Sequence, residues 1–127
     1  MHKVNLADAF TTFTDFWSPK IAGEINDCAV KLVKIKGAFD WHYHQNEDEL
    51  FLVVAGRLRM GLRDGDIDLD PGEYIVIPRS VEHRPEALTD VCHLLTFEPK
   101  STLNTGNLLS DRTVRDLDHL SPQKPPA

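Results

Sequence analysis

Residues 28–98 read almost entirely as short strand-forming runs, cut apart by turn residues. Residues 28–36 are rich in β-branched and aliphatic side chains and stop at Gly37; residues 39–44 are short and aromatic. Residues 49–55 are the most apolar run and end at Gly56. From 57 to 63, Leu58, Met60 and Leu62 fall on one face and Arg57, Arg59 and Arg63 on the other. Asp64-Gly65 signals a hairpin turn. Ile67 and Leu69 then alternate with Asp66, Asp68 and Asp70, and Pro71-Gly72 turns the chain again. Residues 74–77, closed by Pro78, and residues 91–97 complete a set of seven short strands. Strands of this length and spacing predict an all-β sandwich or barrel. Periodicity alone does not choose between the two.

The flanks differ in character. Residues 4–27 combine a helical turn around residues 8–16 with a break at Ser18-Pro19, and residues 100–120 are polar with a turn at Asn104-Thr105-Gly106. Both are expected to be arms, 1–27 and 99–127, laid against one barrel over 28–98, with the final SPQKPPA disordered. A length of 127 residues suits a single domain.

Composition removes some functions. A net charge of −6 argues against a nucleic-acid partner, which needs clustered Lys and Arg. Lys31, Lys34 and Lys36 are the nearest thing to a basic cluster, and a solvated strand face accounts for them. No run approaches the ~20 apolar residues of a membrane span, so a soluble, cytoplasmic protein without a membrane partner is expected. Cys28 and Cys92 sit in apolar runs and are expected to be core thiols. His93 follows Cys92, but strand neighbours point to opposite faces, so the pair is no metal clamp; His93 is expected to be an interior strand residue.

The chemistry concentrates elsewhere. His42 and His44 are two apart in a strand, so both imidazoles project from one face. The polar turn Gln45-Asn46-Glu47-Asp48 brings Glu49, at the head of the next strand, back beside them. After a further hairpin, residues 78–82 lead to His83, which can close the fourth corner. Three neutral imidazoles and one carboxylate suit Fe, Mn, Ni, Zn or Cu as divalent ions.

This spacing resembles the cupin family. Gly37, His42, His44, Glu49 and Gly56 follow that family's first motif, with the Gly37–His42 gap one residue short. Gly72, Pro78 and His83 follow the second motif, in which Ser80 stands for the glycine and Ala87 for the asparagine. Glu98-Pro99 and Asn104-Thr105-Gly106 also look like the tail of one group of small single-domain cupins. The resemblance implies a double-stranded β-helix, or jelly-roll barrel, with one divalent metal at its open end. It implies that Trp41 and Tyr43 turn away from the metal face. It also implies an apolar pocket below the metal, because Glu49, Phe51 and Val53 share a face. Such cupins often form homodimers through an N-terminal strand, and Phe10, Phe13, Phe16 and Trp17 offer apolar surface for that.

The expected function is a metal-dependent enzyme of oxygenase, isomerase or lyase type, acting on a small polar or anionic metabolite. The alternative is a metal- and metabolite-binding module without turnover. Arg79 and Arg84 flank the last ligand and are candidates to pair with a carboxylate or phosphate. Tyr74 is a further candidate for substrate contact, and Glu82 and Tyr74 are the available candidates for a catalytic base.

Overall fold

Strand-forming runs need partners for their backbone groups, and in the computed structural model, described for residues 1–120, they find them in two antiparallel sheets. One helical turn, α1 (Leu6–Ala9), precedes β1 (Lys20–Ile25), β2 (Cys28–Ile35), β3 (Glu49–Ala55), β4 (Leu58–Leu62), β5 (Ile67–Leu69), β6 (Tyr74–Ile77), β7 (His83–Ala87) and β8 (Cys92–Pro99). Five strands pair in the order β1-β2-β8-β3-β6 and three in the order β5-β4-β7. The core draws Val33, Ile35, Phe51, Val53 and Leu94 from the first sheet and Leu58, Met60 and Leu69 from the second. Each inward side chain is the alternate residue of its strand, as period two requires. The described residues are all-β apart from α1, in the arrangement of a double-stranded β-helix.

The β2–β8 ladder fixes which residues face the interior. It runs unbroken from Cys28 opposite Pro99 to Ile35 opposite Cys92. Ala29, Lys31, Val33 and Ile35 therefore share the inner face with Leu94, Thr96 and Glu98. Lys31 is only 3% exposed, which corrects its expected place on a solvated face with Lys34 and Lys36. Cys92 is fully buried, but Cys28 faces outward and is half-buried, so only one thiol belongs to the core. His93 also faces outward, where the Phe10 ring stacks on it at 4.3 Å.

Two strands escape the sequence pattern. β1 lies inside the expected N-terminal arm, and β7 carries Pro85 in its middle. Proline is tolerated there because β7 is an edge of its sheet. Beyond that edge, residues 38–44 run alongside as isolated pairs instead of a regular strand. Ala38 faces Glu86 and His42 faces His83, so one extra residue bulges out on the 38–42 side. Hydrogen bonds from Phe39 N to Pro85 O (2.9 Å) and from His83 N to His42 O (2.8 Å) hold this segment in place.

The N-terminal helical turn is shorter than expected, ending at Ala9. Phe10 and Phe13 pack with Ala9 on Leu32, against the outer face of this chain's own sheet. Trp17 lies over Phe39 with ring centroids 4.7 Å apart. Of the four aromatic side chains expected to seat on a partner copy, only Phe16, 40% exposed, remains available. The expected terminal disorder falls on residues 121–127, outside the described residues. Among the described residues no helix is long and apolar enough to cross a membrane.

Candidate metal centre

Three pieces of backbone converge at one end of the barrel. The mutual pairing of His42 and His83 brings their imidazoles to 4.3 Å between centroids. His44, two residues on, places its ring 5.1 Å from His42 and 5.4 Å from His83. The three histidines each offer a ring nitrogen, and those atoms lie within 4.8 Å of one another. Glu49, first residue of β3, points inward beside them, with Oε1 3.2 Å from His44 Nε2 and 3.5 Å from His83 Nε2. All four residues are at most 6% exposed.

Hydrogen bonding selects the tautomers. His42 Nδ1 lies 2.9 Å from Asp40 O and His83 Nδ1 lies 2.9 Å from Val81 O. A backbone carbonyl only accepts, so each Nδ1 carries the proton and each Nε2 keeps its lone pair for the interior. Among the described residues, His83 Nε2, both His44 ring nitrogens and Glu49 Oε1 are buried without a hydrogen-bond partner. Buried polar atoms without partners are costly, and lone pairs from several of them converging on one place fit a divalent cation that would satisfy them together.

The electrostatics agree with a neutral His42 beside a charged carboxylate. Burial, with the nearby His83 next, pushes His42 down to about 4. Burial opposes ionisation of Glu49, but its polar neighbours Glu98, His44 and His83 outweigh it and hold its carboxyl well below the usual range. Glu98 moves the opposite way. Burial, then the Glu49 charge, holds its carboxyl well above the usual range, although Lys31 Nζ stands 2.9 Å away. The two carboxyl groups are thus pushed in opposite directions, as neighbours in one buried site are.

The C-terminal segment clamps the ligand strand from outside. Asn107 N donates to Tyr43 O at 2.9 Å, and Tyr43 N donates to Asn107 Oδ1 at 2.8 Å. Gly106, with φ +58°, lies so close that a β-carbon there would meet Tyr43 O at 2.3 Å. On the other side Ser80 N donates to His44 O at 2.7 Å, and Ser80 itself takes φ +71°. The serine in place of the family's glycine thus keeps the left-handed turn. Trp41 turns away from the centre, under the Arg63 guanidinium at 3.9 Å.

Beside the four ligand candidates lies a cavity of about 50 Å³, lined chiefly by Trp17, Val33, Phe39, Phe51 and Leu94. Its polar wall is His42, Glu49, Thr96, Glu98 and Asn104. The expected apolar pocket below the ligands is there, but the expected substrate residues are not in it. Arg79 is bound to Asp48, its backbone N 2.8 Å and its Nε 3.5 Å from Oδ1, in solvent. Arg84 Nε donates to Phe39 O at 3.1 Å. Tyr74, 65% exposed, faces out from edge strand β6. Glu82 pairs with Arg63 at 2.9 Å on the surface. The residues that do line the cavity, Trp17 and Glu98 above all, carried no local signal of chemistry. Period two alone would have placed Glu98 with Leu94 and Thr96.

Residues 30–97 match the cupin domain family, which is more than half of the chain, and the protein belongs to that family. Among solved structures it is similar to a cupin-2 domain containing protein from Shewanella frigidimarina, at 43% identity and a TM-score of 0.74. That match covers 76% of this chain and 94% of the other. It is 33% identical over 72 residues, 56% of this chain, to the uncharacterized protein YdbB of Bacillus subtilis, and spans 64% of that protein's length. A 70-residue stretch, 51% of the chain, is 37% identical to homogentisate 1,2-dioxygenase of Bradyrhizobium diazoefficiens and spans 16% of that enzyme.

Proposed function

We propose that the chain is a metal-dependent enzyme of small-molecule metabolism, with one divalent transition metal held by His42, His44, His83 and Glu49. The observation that carries the reading is the set of buried, unpartnered ligand atoms converging at the barrel mouth. A metal bound there supplies Lewis acidity toward a substrate oxygen at positions the four protein groups leave open. The protein's own part is to fix the imidazole tautomers through Asp40 O and Val81 O, and to keep water from the substrate with the apolar cavity wall. Glu98, buried in the cavity's polar wall, is a titratable group that ligation leaves unused, and it favours an enzyme over a binding module. Among oxygenase, isomerase and lyase chemistries, the likeness to a stretch of a dioxygenase favours the first. Two free cysteines fit a reducing, cytoplasmic setting.

The test is metal content after purification without added metal, followed by titration of stripped protein. His42→Ala and His83→Ala are expected to lose tight binding while staying folded. Glu49→Gln is expected to weaken it at least ~10-fold. Asp48→Asn should change it little, since that carboxylate is spent on Arg79. Near-stoichiometric metal in either histidine variant would sink the assignment.

A further inference from the structure

We infer that the substrate of this site carries a carboxylate at the end remote from the metal, and that Arg112, at the opening of the cavity, binds it. The inference rests on the metal reading above and narrows the substrate class. Three observations carry it.

The first is where the cavity opens. Of the residues that line it, Trp17, Pro19 and Asn104 are half-buried and the rest are buried, so it meets solvent between those three. Arg112 stands at that place. Its Cζ lies 5.6 Å from the Trp17 ring centroid and 5.3 Å from that of Phe39, and its carbonyl accepts from Asn104 Nδ2 at 2.8 Å. The Phe39 centroid is also 5.3 Å from that of His42, so at most two such steps separate the guanidinium from a ligand candidate.

The second is that this guanidinium is uncommitted. Arg57, Arg59, Arg63 and Arg79 each hold a carboxylate. Arg112 has no acidic partner among the described residues. Its Nη1 donates to Ala38 O at 3.2 Å, and its Nε and Nη2 have no acceptor among those residues. Nε and Nη2 form the edge with which Arg59 grips Asp68, at 2.9 and 3.2 Å. That edge matches the two oxygens of a planar carboxylate. Nor is it taken up in stacking: Arg63 lies 3.9 Å from the Trp41 centroid, whereas Arg112 is farther from both of its rings. Arg84, next to the lining residue Pro85 on β7, points to the opposite face, and Arg115 lines a separate cleft.

The third is that the position is braced. Asn104 Oδ1 accepts from Val114 N at 2.9 Å while Nδ2 donates to Arg112 O, and Ser110 Oγ accepts from Arg112 N at 3.1 Å. The Thr105 and Thr113 hydroxyls are 2.7 Å apart. Arg112 is therefore held beside the opening before a ligand arrives, which lowers the ordering cost of binding. No Lys or Arg belongs to the cavity wall, so the positive charge for an anionic end stands at the opening, on Arg112.

Two probes isolate that charge. The monohydroxamate of succinic acid chelates a metal through one end and carries a carboxylate at the other; its terminal carboxamide has the same number of heavy atoms and no charge there. Protein loaded with Co(II) is titrated with each, following the visible cobalt bands and the heat of binding. Wild type is expected to bind the carboxylate at least ~10-fold tighter than the carboxamide. Arg112→Met and Arg112→Gln, which remove the charge, should each bring the ratio near one and leave carboxamide binding little changed. Equal or tighter binding of the carboxamide by the wild-type protein overturns the inference, whether or not the variants fold. A ratio unchanged in either folded variant assigns the preference to the metal's charge and overturns the role of Arg112. An equal loss of affinity for both probes does the same, since that is what a mere brace for Trp17 and Phe39 would give. Cobalt that fails to load with His83-dependent stoichiometry refutes the metal reading on which the inference rests, and that outcome is visible before any probe is added.

Discussion

Replacing Gly106 by alanine tests the arrangement that holds two ligand candidates in place. Its φ of +58° lies in the left-handed region, and a β-carbon would sit 2.3 Å from Tyr43 O, 3.0 Å from Tyr43 C and 3.1 Å from His42 Cδ2. The left-handed conformation costs a residue with a β-carbon about 1–2 kcal/mol. Relieving the overlap means moving backbone, not the end of a flexible side chain, and forced overpacking of this kind costs about 1–3 kcal/mol. Reduced freedom of the unfolded chain returns about 0.4–1 kcal/mol. The net expectation is a loss of about 3 kcal/mol, or roughly 10 °C in the melting temperature of a domain this size. The displaced segment also bears the two hydrogen bonds between Tyr43 and Asn107, so His42 and His44 must shift with it. Metal affinity should therefore fall at least ~10-fold. Thermal unfolding by circular dichroism, with and without metal, reads both effects. Gly23→Ala is the control, because nothing lies within 4 Å of a β-carbon there and its φ is ordinary. A Gly106→Ala melt within about 3 °C of wild type, with metal affinity intact, would refute the seating of residues 104–107 on the ligand strand.

Two further outcomes are expected. In metal-free protein His42 has a folded value of about 4 against 6.5 unfolded. The stability it contributes is fully present above pH 6.5 and is lost as pH falls toward 4, about 3 kcal/mol in all. Glu98, raised in the folded state, works the other way, its contribution being present at low pH and lost as pH rises through its folded value. Urea unfolding of wild type and His42→Asn from pH 7 to 4.5 isolates the histidine, and parallel profiles would contradict its burial as a neutral ring. Ser80→Gly should raise stability by about 0.5–1 kcal/mol, because serine bears a left-handed φ of +71° that glycine adopts freely. A lower melting temperature would mean that the long 3.5 Å contact from Ser80 Oγ to Gln45 O matters more than the backbone.

What the sequence settled was whatever depends on near neighbours. Alternation along residues 57–63 set which side chains face inward, and the turn residues after 55, 63 and 70 set where strands end. The candidate ligands were legible for the same reason. His42 and His44 are two apart in one extended segment, and Glu49 follows a short turn. Period two also carried information that grouping by charge hid. Lys31 is an odd number of residues from Lys34 and Lys36, and so lies on the opposite face. The rest belonged to the tertiary structure. Lys31 and Glu98 are 67 residues apart, and only the β2–β8 register brings them within 2.9 Å. β7 is a strand despite Pro85 because it lies at an edge, a property of the assembled sheet and not of the residue. Trp17 reaches the cavity, and Gly106 the back of Tyr43, through loops without periodicity. Backbone geometry makes side-chain facing a local property. Which faces then meet depends on pairing between distant strands, and that is decided only when the whole set of apolar faces is buried together.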